Sequence, residues 1–228
     1  MNIRAIFFPS SRQVFSEKDL LIERLHRLRS TGQISLLDAC MEIGRFVHRG
    51  EPRKTGGDYF TEHNMRMMNE DARELRFDLT DFQRALIAVH DVPEKKFKLN
   101  PEYNWSRGQL FRATHDEHLV RSAFTMKKET FYFPYHRNVC LDGQEDEIIV
   151  KTLDNYNNKN SNPSAEKAKI YDITIAYGLA RLNRAIPENY DHAIFAAEIG
   201  MYDRELFEKH GPDSAIIMPK PSNDRSPL

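Results

Sequence analysis

Thr80-Asp81-Phe82-Gln83-Arg84-Ala85-Leu86-Ile87-Ala88-Val89-His90-Asp91-Val92-Pro93-Glu94 is the stretch whose reading decides the fold. Thr80 followed by Gln83 is a capping box, in which a hydroxyl accepts the third helical N–H and an amide side chain returns a bond to the cap, so a helix starts there. Phe82, Leu86, Ile87 and Val89 give that helix an apolar side. Pro93 has no N–H and clashes with the preceding turn, so the helix must end or kink before it. His90 and Asp91 therefore stand at a helix end, where side chains and backbone can converge on a ligand.

Upstream lies His63, and well downstream lies Val150-Lys151-Thr152-Leu153-Asp154. One imidazole, a His-Asp pair and a distant carboxylate can together hold one divalent metal. The dipeptide alone is not distinctive, because His115-Asp116 repeats it. With His118 that second pair has metal-ligand spacing of its own, but no distant motif accompanies it.

Working outward, helix signals recur and strand signals are few. Ser35-Leu36-Leu37-Asp38 is a second capping box with Asp in the acceptor position, and Gly50 is the stop for a helix carrying Leu37, Cys40, Met41, Gly44, Phe46 and Val47. Further helices are expected near 16–30, 61–75, 115–128, 144–158, 164–185 and 190–209. The stretch from Lys95 to Arg107 lacks periodicity and reads as a loop beside the site. Thr130-Phe131-Tyr132-Phe133-Pro134-Tyr135 reads as an aromatic plug of the core rather than a strand. The expected organisation is an N-terminal segment 1–15, one all-α domain over 16–210, and a disordered tail 211–228 with four prolines.

A chain of 228 residues can bury one sizeable core. Charged residues make up 29% but nearly cancel, to a net charge of -1, which excludes a global basic field for nucleic acid or an anionic membrane. Any phosphate recognition must be local. Cys40 and Cys140 are isolated, with no CxxC neighbour, and read as buried thiols of a reducing compartment. The apolar run near the N-terminus is too short for a signal-peptide core, and no segment reaches the roughly eighteen apolar residues of a membrane span. The expectation is a soluble, cytoplasmic protein.

Lys151, Asp154 and Asn158 share one helical face by their spacing, so a cation, a carboxylate and an amide look into one pocket. Arg53-Lys54-Thr55-Gly56-Gly57 is a basic, glycine-containing loop suited to bring two cations and backbone N–H groups to a phosphate.

In this order the motifs resemble those of the HD-domain metal-dependent phosphohydrolases, and most closely the hydrolase domain of the RelA/SpoT family and its small alarmone hydrolases. The resemblance is carried by His48-Arg49-Gly50-Glu51-Pro52-Arg53-Lys54-Thr55-Gly56 followed by Tyr59-Phe60-Thr61-Glu62-His63, then by Ala88 to Glu94, then by Val150 to Asp154 and on to Asn158. It spans residues 16 to 185, more weakly from Ala168 to Leu182. It implies an HD-type helical bundle with His63, His90, Asp91 and Asp154 as metal ligands. Two imidazoles and two carboxylates suit manganese, iron or zinc, and the resemblance tips this to manganese. It further implies a nucleotide polyphosphate substrate and removal of pyrophosphate from guanosine 3',5'-bis(diphosphate). Arg53, Lys54, Lys151 and Asn158 would contact substrate, and Glu94 would orient or deprotonate the attacking water. Where the family's hydrolases carry a second acid, this chain has Lys95, which would bind a further phosphate oxygen or pair with Glu94. Two other readings remain open: a hydrolase of another nucleotide or phosphate ester, and a nucleotide-binding module without turnover.

Overall fold

Helix starts fall where hydroxyl and acid or amide residues stand three apart. In the computed structural model the described residues are 15–53, 55–93, 104–128 and 143–161, with isolated positions at 164, 167, 168, 171, 175 and 178. Ser16 with Asp19 opens α1 (Glu17–Ser30), and Ser35 with Asp38 opens α2 (Leu36–Val47). The expected helix near 61–75 is present as a segment we call α3. It is wound with i→i+5 bonds across Phe60–Met65 and Met67–Asp71 and closes in the α-turn Ala72–Glu74. Such π-helical winding is rare and concentrates at functional sites. Thr80 with Gln83 opens α4 (Asp81–Val89), as its sequence predicts.

One helix was not expected. Ser106 and Gln109 form a further capping box that opens α5 (Arg107–Thr114), beginning where the loop reading ended. The helix expected from 115 starts two residues later, as α6 (Glu117–Lys128). His115, in the left-handed region at φ 55°, ends α5, and Asp116 Oδ1 accepts the Leu119 N–H at 2.7 Å. α7 (Glu145–Ser161) matches the helix expected near 144–158 and extends beyond it.

Among the described residues the fold is all-α, with no strand beyond an isolated bridge between Pro52 and Asp58. α2 lies along α4 and α1 along α5; α6 touches α4, α5 and α7, and α3 joins α4 to α7. Leu25, Ile43, Leu86, Leu110, Leu119 and Leu153, one from each of α1, α2, α4, α5, α6 and α7, are fully buried together. Each such side chain contributes about 1.5–3 kcal/mol by leaving water. Gly44 permits the α2–α4 approach, since a Cβ there would stand 2.6 Å from the Ala88 carbonyl oxygen and would also strike the Phe60 ring. Cys40 is buried as expected, and burial pushes its thiol up. No described helix is long and apolar enough to cross a membrane. Cys140, the aromatic stretch 130–135, the helix expected at 190–209 and the tail lie outside the described residues. The helix expected at 164–185 is represented only by isolated helical positions, of which Ile175 is buried.

Candidate metal centre

The end of α4 is built by side chains. Pro93 cannot donate, so the Val89 carbonyl is taken by the Val92 N–H at 3.1 Å. The Ile87 carbonyl, left over in the last helical turn, accepts from Asn64 Nδ2 at 2.9 Å and from His90 Nδ1 at 2.7 Å. A carbonyl can only accept, so His90 Nδ1 carries a hydrogen and the ring is fixed with Nε2 facing away from the backbone.

His63 is set in the same way by a different partner. Asn157 Oδ1 accepts from Arg53 Nη2 at 2.6 Å and lies 3.0 Å from His63 Nδ1, while Asn157 Nδ2 donates to Asp71 Oδ2 at 2.8 Å. A guanidinium only donates, which identifies the shared amide atom as oxygen and makes His63 Nδ1 a donor as well. Its Nε2 then faces Asp154 Oδ1 at 3.4 Å, and His90 Nε2 faces the same oxygen at 3.8 Å.

The ligand atoms of His63, His90 and Asp154 all lie within 4.8 Å of one another. Both imidazoles are buried, with ring centroids 5.3 Å apart. The three residues come from α3, the end of α4 and α7. Metal-binding histidines characteristically donate their other ring N–H to a carbonyl, amide or carboxylate, as both do here. Two imidazoles and a carboxylate so held fit a borderline divalent ion. The electrostatics agree with that. Burial pushes the His63 imidazole down to about 4, against the pull of Asp154. Burial also works against charge on His90, but Asp91 and Asp154 outweigh it and its net shift is upward. Burial alone would raise Asp154, yet Lys151, His90 and His63 together hold its carboxyl well below the usual carboxylate range.

The other residues singled out in the sequence take varied places. Asp91 adjoins the cluster but is not one of its three converging residues; its Oδ1 lies 3.1 Å from His48 Nε2. Lys151 and Asn158, expected at substrate, both reach the Asp154 carboxylate: Nζ is 3.5 Å from Oδ2, and Nδ2 donates to Oδ1 at 2.8 Å. Arg53, expected to grip phosphate, clamps protein to protein. Its Nη1 donates to the Glu62 carbonyl at 2.7 Å, and its Nη2 reaches Asn157 Oδ1 and Ser161 Oγ, each at 2.6 Å. The loop that carries it turns through Gly56 and Gly57 at φ 93° and 81°, values side chains rarely adopt. Lys54, Glu94 and Lys95 lie outside the described residues. The rival His115-Asp116 pair is spent on a helix junction, with His115 against His26 and His118 stacked on Phe82 at 4.6 Å.

Sequence reading missed Asn157, His48 and Tyr59. Asn157 shares a face with Asp154 and Ser161 by helical spacing, so the signal was present but divided between two adjacent asparagines. Tyr59 stacks on His48 at 4.5 Å and meets the His63 ring edge at 5.1 Å. Compared with known proteins, the chain matches no family model, no curated protein and no solved structure.

Proposed function

We propose that this chain is a metal-dependent phosphohydrolase acting on a nucleotide polyphosphate, with removal of pyrophosphate from guanosine 3',5'-bis(diphosphate) as the leading reaction. One observation carries the reading. Three residues from three separated sequence motifs converge, and both imidazoles are locked with Nε2 toward the same Asp154 oxygen. The ordered likeness of those motifs to HD-type hydrolases supports the substrate class.

A divalent ion, manganese by that likeness and iron or zinc by donor type alone, would supply Lewis acidity and a bound water of lowered pKa. The chain's own part begins with Asp154, whose carboxylate is kept ionised and oriented by Lys151 and Asn158. Asn157 and the Ile87 carbonyl hold the imidazoles from behind. Glu94 would take the proton of the attacking water and Lys54 would offset charge on the phosphate chain, roles that rest on the motif likeness; Lys95, which departs from the family's acid, would bind a further phosphate oxygen or pair with Glu94.

Arg53 favours a second reading. Three of its five N–H donors are engaged by Glu62, Asn157 and Ser161, so a two-pronged grip through its Nη atoms would require releasing protein partners, which suits a different phosphate ester or a nucleotide-binding module without turnover. The test is a manganese-supplemented hydrolysis panel of guanosine tetraphosphate, guanosine pentaphosphate, nucleoside triphosphates and simple phosphate esters, with products identified by chromatography. Pyrophosphate released from the guanosine substrates is the expected result. Product from another ester alone would move the assignment to the second reading, and binding without any product would overturn enzyme function.

A further inference from the structure

We propose that His48 and Glu51, neither of them part of the His63, His90 and Asp154 cluster, form a positioning arm that orients Asp91 toward it as a fourth metal ligand. This rests on the metal-centre reading above and adds residues that the sequence motifs left without a role.

His48 caps the C-terminus of α2 and is fully buried. Its Nε2 lies 3.1 Å from Asp91 Oδ1, and its Nδ1 lies 3.0 Å from Glu51 Oε2. Both ring nitrogens thus face carboxylate oxygens at hydrogen-bond distance, and with both engaged His48 serves as the holder of a ligand and not as a ligand.

The arm is rigid at each joint. Tyr59 covers the His48 ring in a near-parallel stack of 10°. The Glu51 carbonyl accepts the Tyr59 N–H at 3.0 Å, which closes the loop behind the ring. Because Gly44 sets the α2–α4 approach, the gap between His48 and Asp91 is fixed by backbone. The contact of His48 with Oδ1 restricts rotation of the Asp91 carboxylate and so sets how it is presented to a cation. Asp91 follows His90 in the chain, and its charge is felt by both cluster imidazoles.

Cobalt(II) and manganese(II) titrations of the full chain test the arm, read by visible absorption and by paramagnetic resonance. His48→Leu should weaken metal binding by roughly 10- to 100-fold, the usual cost of losing a group that orients a ligand. His48→Gln, whose amide nitrogen reaches about as far as Nε2, should recover most of that loss. Glu51→Ala should weaken binding by several fold and, like His48→Leu, shift the cobalt absorption bands. A general structural role would not produce rescue by Gln or a change in the cobalt spectrum. Should His48→Leu fail to fold, Glu51→Ala decides, since the Glu51 side chain is 32% exposed and its truncation leaves no hole in the core. Parent-like affinity and spectrum in His48→Leu and Glu51→Ala would overturn the arm while leaving the metal centre standing. No metal uptake by the parent chain would overturn both.

Discussion

His63 is an imidazole that folding keeps neutral, and that has a measurable consequence. Its pKa falls from 6.5 to about 4 in the folded chain, so between those limits the unfolded state binds a proton that the folded state does not. The contribution of His63 to the stability of the metal-free protein should therefore drop as pH falls through this window, by about 3 kcal/mol. His90 is shifted the other way, so its contribution is present below 6.5 and is lost as pH rises through its higher folded value. Asp154 loses its contribution only as pH falls below 3.8. Asp71, raised mainly by burial, opposes His63 in the lower part of the window. Urea unfolding at pH 6.5 and 4.5 for the parent and His63→Gln isolates the effect: the variant should lose much less stability on acidification, and an equal loss would assign it elsewhere. His63, His90 and Asp154 were legible in the sequence because each sits inside its own local motif. Asn157 and His48 were not, because their roles depend on which helix faces meet.

At the scale of elements, helix starts were legible and helix winding was not. A capping box involves only four consecutive residues, so the starts of α2 and α4 could be read directly. The buried positions of α3, Phe60, His63, Asn64, Met67, Met68, Asp71 and Ala72, recur at three- and four-residue steps that an ordinary α-helix also satisfies. Nothing in that pattern reveals the i→i+5 bonds. α5 was missed although Ser106 and Gln109 marked its start, because Gly108 and a short length obscured its period. The contact between α2 and α4 turns on Gly44. Ala is the better helix former by about 1 kcal/mol, yet Gly44→Ala should destabilise the protein by about 1–3 kcal/mol, the usual cost of forcing atoms into packed space. The denaturant midpoint checks this, and a midpoint equal to or above the parent's would contradict the packing described for these helices.

For the whole molecule, amphipathic periods predicted an all-α architecture, but helix pairing is set by contacts distant in sequence and could not be read from them. The centre depends on that pairing. His63, His90 and Asp154 are brought within ligand distance only when α3 and α7 close on the end of α4. A near-zero net charge supplies no long-range field, so affinity for a cation must come from this local set of donors. Elemental analysis of the full chain after manganese loading and desalting tests the central claim most directly. The parent should retain about one divalent ion per chain, and Asp154→Ala should retain none while its helical circular dichroism stays unchanged. Equal metal content in parent and variant would contradict the assignment.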